Sequence, residues 1–280
     1  MAAEVAGQVA GAGAEHAEGA FNAGEHIFKH VVNSQHLELP FVGEIQLPTL
    51  HLGPLALPIT KSVVMMWIAS VILLLFAFLI TRKRSQVPGR AQSLFEILVV
   101  FVRDDLARKN IGEDGDRYVP YLMTTFFFIL TCNYLGMLPY MSSAASNINV
   151  TGALALAAFV MIQAAGIREH GVVHHFKNMI PSGVPAWLLP IMIPVEIMSM
   201  IVKPVALCLR LFANMTAGHL IIVAFITMVF ILKSILVGVF LSVPFALFIN
   251  LIELLVAFLQ AYIFTMLTSL FIGMSAHPAH

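Results

Sequence analysis

The chain has 280 residues, of which 59% are apolar and only 11% charged, and its mean hydropathy is +0.90. A soluble domain carries roughly 25% charged residues, so this composition is that of an integral membrane protein. Fifteen basic and fifteen acidic residues cancel, so net charge gives no argument for a nucleic-acid partner, and two cysteines, Cys132 and Cys208, exclude a disulfide framework or a four-cysteine zinc site.

Residues 1–60 read as an extracytoplasmic N-terminal tail rich in Ala, Gly, Glu and His, punctuated by Pro40, Pro48, Pro54 and Pro58. A short amphipathic helix around Gly24–Val32 is compatible with the pattern, and the rest reads as extended or loosely ordered. The opening MAAEVAGQVAG lacks a basic region and an apolar core, so it reads neither as a cleaved signal nor as an arginine-rich transit peptide. The tail carries six glutamates against Lys29 alone.

A single membrane domain is expected over 61–275. Its first spanning helix is 62–81, about twenty apolar residues and enough for roughly 30 Å of hydrocarbon. Arg82, Lys83 and Arg84 close it, so that end is expected in the cytoplasm and the N-terminus outside. Residues 92–110 differ: Leu94, Phe95, Leu98, Phe101, Val102 and Leu106 recur at helical spacing, while Arg103, Asp104, Asp105, Arg108 and Lys109 crowd the second half. Their apolar core is too short to span, which predicts an amphipathic helix on the cytoplasmic surface. A polar link, 112–117, follows. Eight of the fifteen basic residues fall between Arg82 and Arg117.

The next spans are 118–140 and 148–167, joined by the uncharged MSSAASN. A loop from Arg168 to Pro185 then returns to the cytoplasm. Two long apolar stretches, 186–232 and 234–275, would each be about 60–70 Å long as helices, twice the bilayer. The second has no polar break for a turn, so each reads as one long, strongly tilted helix, with Pro244 a candidate kink. Such tilt needs a partner to lie against. The expected fold is all-α, with five crossings, one surface helix and a cytoplasmic C-terminal tail at 276–280.

The polar residues inside the last two helices carry the functional signal. Arg210 stands in the middle of an apolar segment, and a guanidinium does not lose its proton in a protein. At 100° per residue Glu196, Lys203, Arg210 and Asn214 fall within about 40° of one another, forming one polar stripe. His219 lies about 180° round the helix from Arg210. In the last helix Glu253 and Gln260 share a face, with Asn250 one turn before Glu253. Folding the stretches as an antiparallel hairpin and pairing Arg210 with Gln260 centres the turn at residue 235; pairing His219 with Glu253 centres it at 236. Lys233-Ser234 falls on that turn. His219, Glu253 and Asn250 then lie toward the outside, Glu196 and Lys203 toward the cytoplasm. Ionisable clusters on each side of a fixed charge have the pattern of two aqueous half-paths separated by a gate. Asn133, in FILTCNYLGMLP, reads as either a helix–helix hydrogen-bonding group or a path-lining one.

His26-x3-His30 and His170-x3-His174-His175 have the spacing of di-iron histidine boxes. Three crossings would separate them, on opposite membrane sides, and no third box exists, so no metal or other cofactor is expected. His-Glu-x-x-His, Gly-x-Ser-x-Gly and a phosphate-cradling glycine loop are absent, which leaves no catalytic motif.

KPVALCLRLFANMTAGHLI, ELLVAFLQAYIFTMLTSLFI, NYLGMLP and Gly89-Arg90 together resemble subunit a of the F-type ATP synthases, the stator part of the proton channel, over about residues 60–275. The resemblance implies a non-catalytic subunit of a two-sector ATP synthase in a bacterial plasma (inner) membrane. Its implied partners are a rotating ring of subunit c, the peripheral-stalk subunit b and other synthase subunits. It also implies that Arg210 faces the acidic residue of each passing subunit c, with Asn214 and Gln260 near this gate. Some family members carry glutamate where this chain has His219 and histidine where it has Glu253; residues that face each other would keep a linked acid–imidazole pair through the exchange. A self-contained ion-coupled secondary transporter is the alternative, but such proteins often show inverted repeats and broken helices, and no repeat relates the halves of this chain.

Overall fold

The computed structural model describes residues 36–39, 43–46, 49–52, 55–82, 89–138, 143–178, 187–232 and 238–277. The helix considered around Gly24–Val32 and the turn at Lys233-Ser234 lie outside them. Among the described residues five helices are long and apolar enough to cross a membrane: Lys61–Ile80, Val119–Gly136, Ile148–His175, Pro190–Phe225 and Val243–Ala276. The chain divides into two contact units, one containing 219–249 and the other 33–218 with 250–280.

Four short strands precede the first span, where only loose or extended chain was expected: β1 (His36–Leu39), β2 (Gly43–Gln46), β3 (Thr49–Leu52) and β4 (Leu55–Pro58). β1 pairs antiparallel with β2, and β3 with β4. The all-α description therefore holds for the membrane part and not for the segment before it. The proline-spaced stretches are too short for helices, and pairing satisfies backbone groups that a lone extended strand would leave to water.

Helix α1 (Lys61–Arg82) exposes Trp67, Val71, Leu74, Leu75, Phe78 and Leu79 and buries Met65 and Ala69. These two pack with Cys132, Leu135, Ala144 and Val150 in a small cluster. Asn147 donates to Ser62 Oγ at 3.2 Å and so ties the start of α1 to the start of a later helix. Helix α2 (Arg90–Val100) runs on through a π-helical segment, Phe101–Arg108, into a last turn at Lys109–Ile111. Val102, Leu106, Ala107 and Ile111 are buried, whereas Leu94, Ile97 and Val100 are exposed. A π turn puts carbonyls out of their ordinary α-helical register. Here the Leu106 carbonyl accepts from Ser269 Oγ at 2.7 Å and from Asn110 Nδ2 at 2.9 Å, and Asn110 also donates to Ser269 at 2.8 Å.

Gly112, at φ 90°, ends this helix in a conformation that L side chains rarely adopt. The link that follows is a 3-10 turn, Glu113–Arg117. Arg108 closes it with a two-pronged bond to Asp116, both prongs at 2.8 Å, and reaches Asp104 at 3.1 Å. The guanidinium holds the Asp116 carboxyl below the usual carboxylate range. Helix α3 (Val119–Gly136) starts with Pro120 in its first turn, where a missing N–H costs nothing.

Helix α4 (Ile148–Asn178) is capped by Asn147, whose Oδ1 accepts from the Asn149 amide at 3.0 Å. It runs past the expected end at 167 and breaks at Gly171, with φ 74° and ψ 161°. The segment beyond the break is helical to Asn178 and not the solvated loop expected there. His175 is buried and pairs with Gln163 at 2.8 Å, its ring packed against Gly166, and His170 meets the Ala276 carbonyl at 3.0 Å. His174 is exposed.

Helix α5 (Leu189–Leu232) contains Pro194 and Pro204. Pro204, well inside the helix, removes one N–H from its ladder. A second π-helical turn, Gly238–Ser242, leads into α6 (Val243–Ala276). The expected start at 234 lies outside the described residues, and Pro244 sits at the second position of the α-helical part, directly after the π-helical turn. In the unit holding 219–249, Phe225 stacks on Phe245 with centroids 5.6 Å apart.

The larger unit is built around Phe126, Leu122, Ile129, Leu211, Met215, Ala257, Ala261, Phe264 and Ile272, all buried. An aromatic chain links its helices: Phe76 meets Phe95, Phe95 stacks on Phe127 at 5.0 Å, and Phe126 touches Phe101 and Phe258. Small residues set the closest approaches. A Cβ at Gly273 would fall on the Asn110 backbone carbonyl, which cannot move aside as a side chain could. Gly273→Ala should therefore destabilise the protein by about 1–3 kcal/mol and lower its melting temperature in detergent; an unchanged melting curve would contradict this packing.

Candidate functional site

α5 is apolar except for a few positions, so the exposure of each side chain defines its faces. Leu207, Leu211 and Met215 are buried against the bundle. Arg210 lies beside that face on the exposed side, and Ala206, Ala213 and Ala217 around it are exposed as well. Alanine at these spacings leaves a shallow face on which the guanidinium is the only large polar group. Among the described residues Arg210 has no ion pair and no hydrogen bond. Asn214, one turn on, is half-buried.

α6 turns its polar residues the other way. Glu253 and Gln260 are 7% and 5% exposed, and Ala257 between them and Ala261 next to Gln260 are fully buried. Asn250 is exposed. Gln260 is thus directed into the bundle and Arg210 out of it, and no hydrogen bond joins them. Spacing along two helices fixes the level at which residues meet but not the direction in which each looks.

Gly218 determines where Glu253 sits. A Cβ on Gly218 would lie 2.8 Å from Glu253 Oε1 and 3.0 Å from its Cδ, so the absent side chain lets the carboxyl lie flat against α5. Further along, the Lys203 ammonium stands over the Phe271 ring, 5.1 Å from its centroid. As α5 is followed back from 218 to 203, its contacts on α6 advance from 253 to 271, so the two helices run antiparallel. Lys203 and Glu196 are both half-buried on α5. They stand two turns apart, roughly 10 Å, and do not form an ion pair. His219 is half-buried on α5.

Asn133 on α3 is fully buried and donates through Nδ2 to the Ala257 carbonyl at 3.2 Å. This is the α6 carbonyl one turn beyond Glu253. Asn133 Oδ1, Thr216 Oγ1 and Glu253 Oε2 are buried oxygens with no hydrogen-bond partner. Such groups are rare, and each asks for an explanation in terms of function or bound water. Thr216 and Gly218 were not evident from sequence: a threonine in an apolar helix more often bonds its own backbone, and one glycine carries no periodicity. The alanines around Arg210 were missed as well, although small residues at helical spacing are a signal that could have found them.

Among the described residues no group of three or more His, Cys, Asp or Glu side chains is placed to hold a metal ion. His170 and His175 are instead engaged with a backbone carbonyl and a glutamine. Cys132 and Cys208 are free thiols. Gly218→Ala should push the Glu253 carboxyl out of its niche and speed its modification by a hydrophobic carbodiimide, followed by mass spectrometry of the Glu253 peptide. An unaltered rate would show that the glycine does not control the carboxyl.

Comparison with known proteins identifies the family of the chain. The family model described as ATP synthase A chain matches residues 63–273. The chain is 46% identical over 274 residues to ATP synthase subunit a 2 of Prosthecochloris aestuarii, covering 95% of this chain and 84% of that protein. It is 45% identical over 275 residues to ATP synthase subunit a of Chlorobium phaeobacteroides, covering 95% and 81%. Against ATP synthase subunit a of Myxococcus xanthus it is 50% identical over 239 residues, covering 84% and 78%. With the family model matched across all five spanning helices, the chain belongs to the ATP synthase subunit a family.

Proposed function

We propose that this chain is the proton-translocating stator subunit of a bacterial F-type ATP synthase, with no catalytic site of its own, and that Arg210 is its gate. The observation that carries the proposal is the exposed guanidinium on an alanine-lined apolar face, without a counter-ion among the described residues. A charge so placed in a membrane costs at least about 2.5 kcal/mol, and such residues usually face a pathway or a partner. The shallow alanine face admits another helix closely. Its occupant in this reading is the carboxylate-bearing helix of a rotating ring of subunit c.

Arg210 acts as a counter-ion and barrier. An ammonium or imidazolium could hand on its own proton; a guanidinium cannot. Beside it an approaching carboxyl is driven to its ionised form, so the ring group gives up its proton to one half-path as it nears Arg210 and takes another from the second half-path after leaving. The outer half-path is assigned to His219, Glu253 and Asn250, with Asn214 and Gln260 between it and the gate. The unpartnered oxygens of Asn133, Thr216 and Glu253 support a wet route beside Gly218. Glu196 and Lys203 line the inner half-path. The long α5 and α6 would lie tilted along the curved flank of the ring, with 92–110 at the cytoplasmic surface. The N-terminus would be outside and the C-terminus inside, and the peripheral-stalk subunit b would hold the chain still.

The direct test is Arg210→Ala in the assembled enzyme. ATP-driven proton pumping should fall to background, and vesicles stripped of the catalytic head should leak protons faster than those with the native chain. Coupled pumping near the native rate would sink the proposal. Exchanging His219 and Glu253 together should retain more transport than replacing either by Ala; equal losses would remove the pairing.

A further inference from the structure

Lys203 shares the polar stripe of α5 with Arg210 and stands two turns from it. Both carry positive charge, yet their surroundings differ. Arg210 projects from the exposed edge, while the half-buried Lys203 reaches across to α6, where its ammonium stands over the Phe271 ring at 5.1 Å. No carboxylate lies within ion-pair distance of Lys203 among the described residues. Among the described residues the ring face is the group that answers the charge. Cation–π attraction strengthens as the cation loses water, and the half-buried Lys203 is partly withdrawn from solvent.

The register explains why it is Phe271 that receives the lysine. Carrying the Gly218–Glu253 contact along the antiparallel pair places Thr268, not Phe271, level with Lys203. Side chains on a helix lean toward its N-terminus. From α5 that direction leads toward the C-terminal end of α6, and one turn past Thr268 is Phe271. A long lysine stem also extends toward the nearer aqueous boundary, carrying its methylenes along apolar surface. Both tendencies send the ammonium to the same ring. Phe271 is half-buried and packs at the edge of the main core, so its face is held in place.

We propose that Phe271 is a positioning residue that parks the Lys203 ammonium on the α5–α6 seam, keeping this second, proton-bearing cation at the inner half-path and away from the Arg210 face. The proposal rests on the assignment of Lys203 to the inner half-path. A lysine on a four-carbon stem sweeps a wide volume. Released from the ring, it could lean toward the alanine face, where it would compete with Arg210 for the passing carboxylate. Unlike arginine it could pass its own proton on. A fixed lysine serves proton exchange at the inner mouth, whereas a mobile one interferes with the gate.

The test uses the assembled synthase in vesicles, with Phe271→Leu, Phe271→Trp, Lys203→Met and the Lys203→Met/Phe271→Leu double variant. Leucine keeps an apolar side chain and removes the π face, while tryptophan keeps it. Phe271→Leu should lower ATP-driven pumping roughly three- to tenfold, the range expected for losing a partly desolvated cation–π contact, and Phe271→Trp should stay within about twofold of the native rate. In the Lys203→Met background Phe271→Leu should change pumping no further. If it costs as much there as in the native chain, the ring only packs and the proposal fails. Reaction of Lys203 with a membrane-permeant isothiocyanate, read by mass spectrometry, is independent of transport. It should accelerate in Phe271→Leu and not in Phe271→Trp, and an unchanged rate in Phe271→Leu overturns the contact. Faster labelling with native pumping in all four variants would leave the contact standing, remove its role, and contradict the inner half-path assignment without touching the Arg210 gate.

Discussion

A guanidinium keeps its proton throughout the physiological range, and α5 sets one in the middle of an apolar span, on the exposed side of the helix, with alanines around it. Nothing in the described chain neutralises it. The remaining features of the membrane part follow from accommodating that charge. Leu207, Leu211 and Met215 anchor α5 in the core on a neighbouring face, which leaves Arg210 turned outward. Gly218 lets α5 and α6 approach at Glu253, and α6 meets α3 through Asn133 and Phe126. The bundle packs one side of α5 and leaves the other with an exposed, fixed charge, which is the arrangement the proposed gate requires.

Polar groups inside the bundle are arranged differently from the arginine. Glu253, Gln260 and Asn133 are buried, and two of them leave an oxygen unsatisfied. In a low-dielectric interior an unpaired polar atom is costly, and an apolar side chain at either position would avoid the cost. Glu253 meets Gly218, and Asn133 bonds the next turn of α6, the grouping on which the proposed outer half-path rests. On the other side of the arginine, Lys203 is held by an aromatic face and not by an acid. Glu196, two turns away, is left unengaged by the lysine. A charged pair there would have neutralised both groups, and among the described residues the two form none.

Much of this was legible in the sequence because lipid imposes simple demands. A spanning helix must be apolar for about twenty residues and satisfy its own backbone, so the helices over the first two expected spans, Lys61–Arg82 and Val119–Gly136, lie within a few residues of the expected bounds. The level at which α5 and α6 meet was also readable: polar residues centred the turn at 235 or 236, and the Gly218–Glu253 contact lies within a residue of that register. Direction was not readable. Arg210 and Gln260 share a level but face opposite ways, because facing depends on which apolar residues the core selects. The break at Gly171 was missed because Arg168, Glu169 and the histidines were taken as the end of a helix. The chain instead continues, turns at a positive φ, and tucks His175 against Gly166. The two β-hairpins escaped notice because strands of four residues give too few alternations to read.

An arginine gate requires that the alanine-lined face of α5, and not its buried face, meet the proposed ring. With Cys132 and Cys208 replaced, single cysteines at Ala206, Ala213, Ala217, Leu211 and Met215 can be tested for disulfide formation with a cysteine beside the ring carboxylate. Cross-links from the three alanine positions, and none from Leu211 or Met215, are the expected result. Cross-linking from the buried positions as readily as from the alanines, or from none of the five in an enzyme that still pumps, would contradict an arginine gate facing the ring.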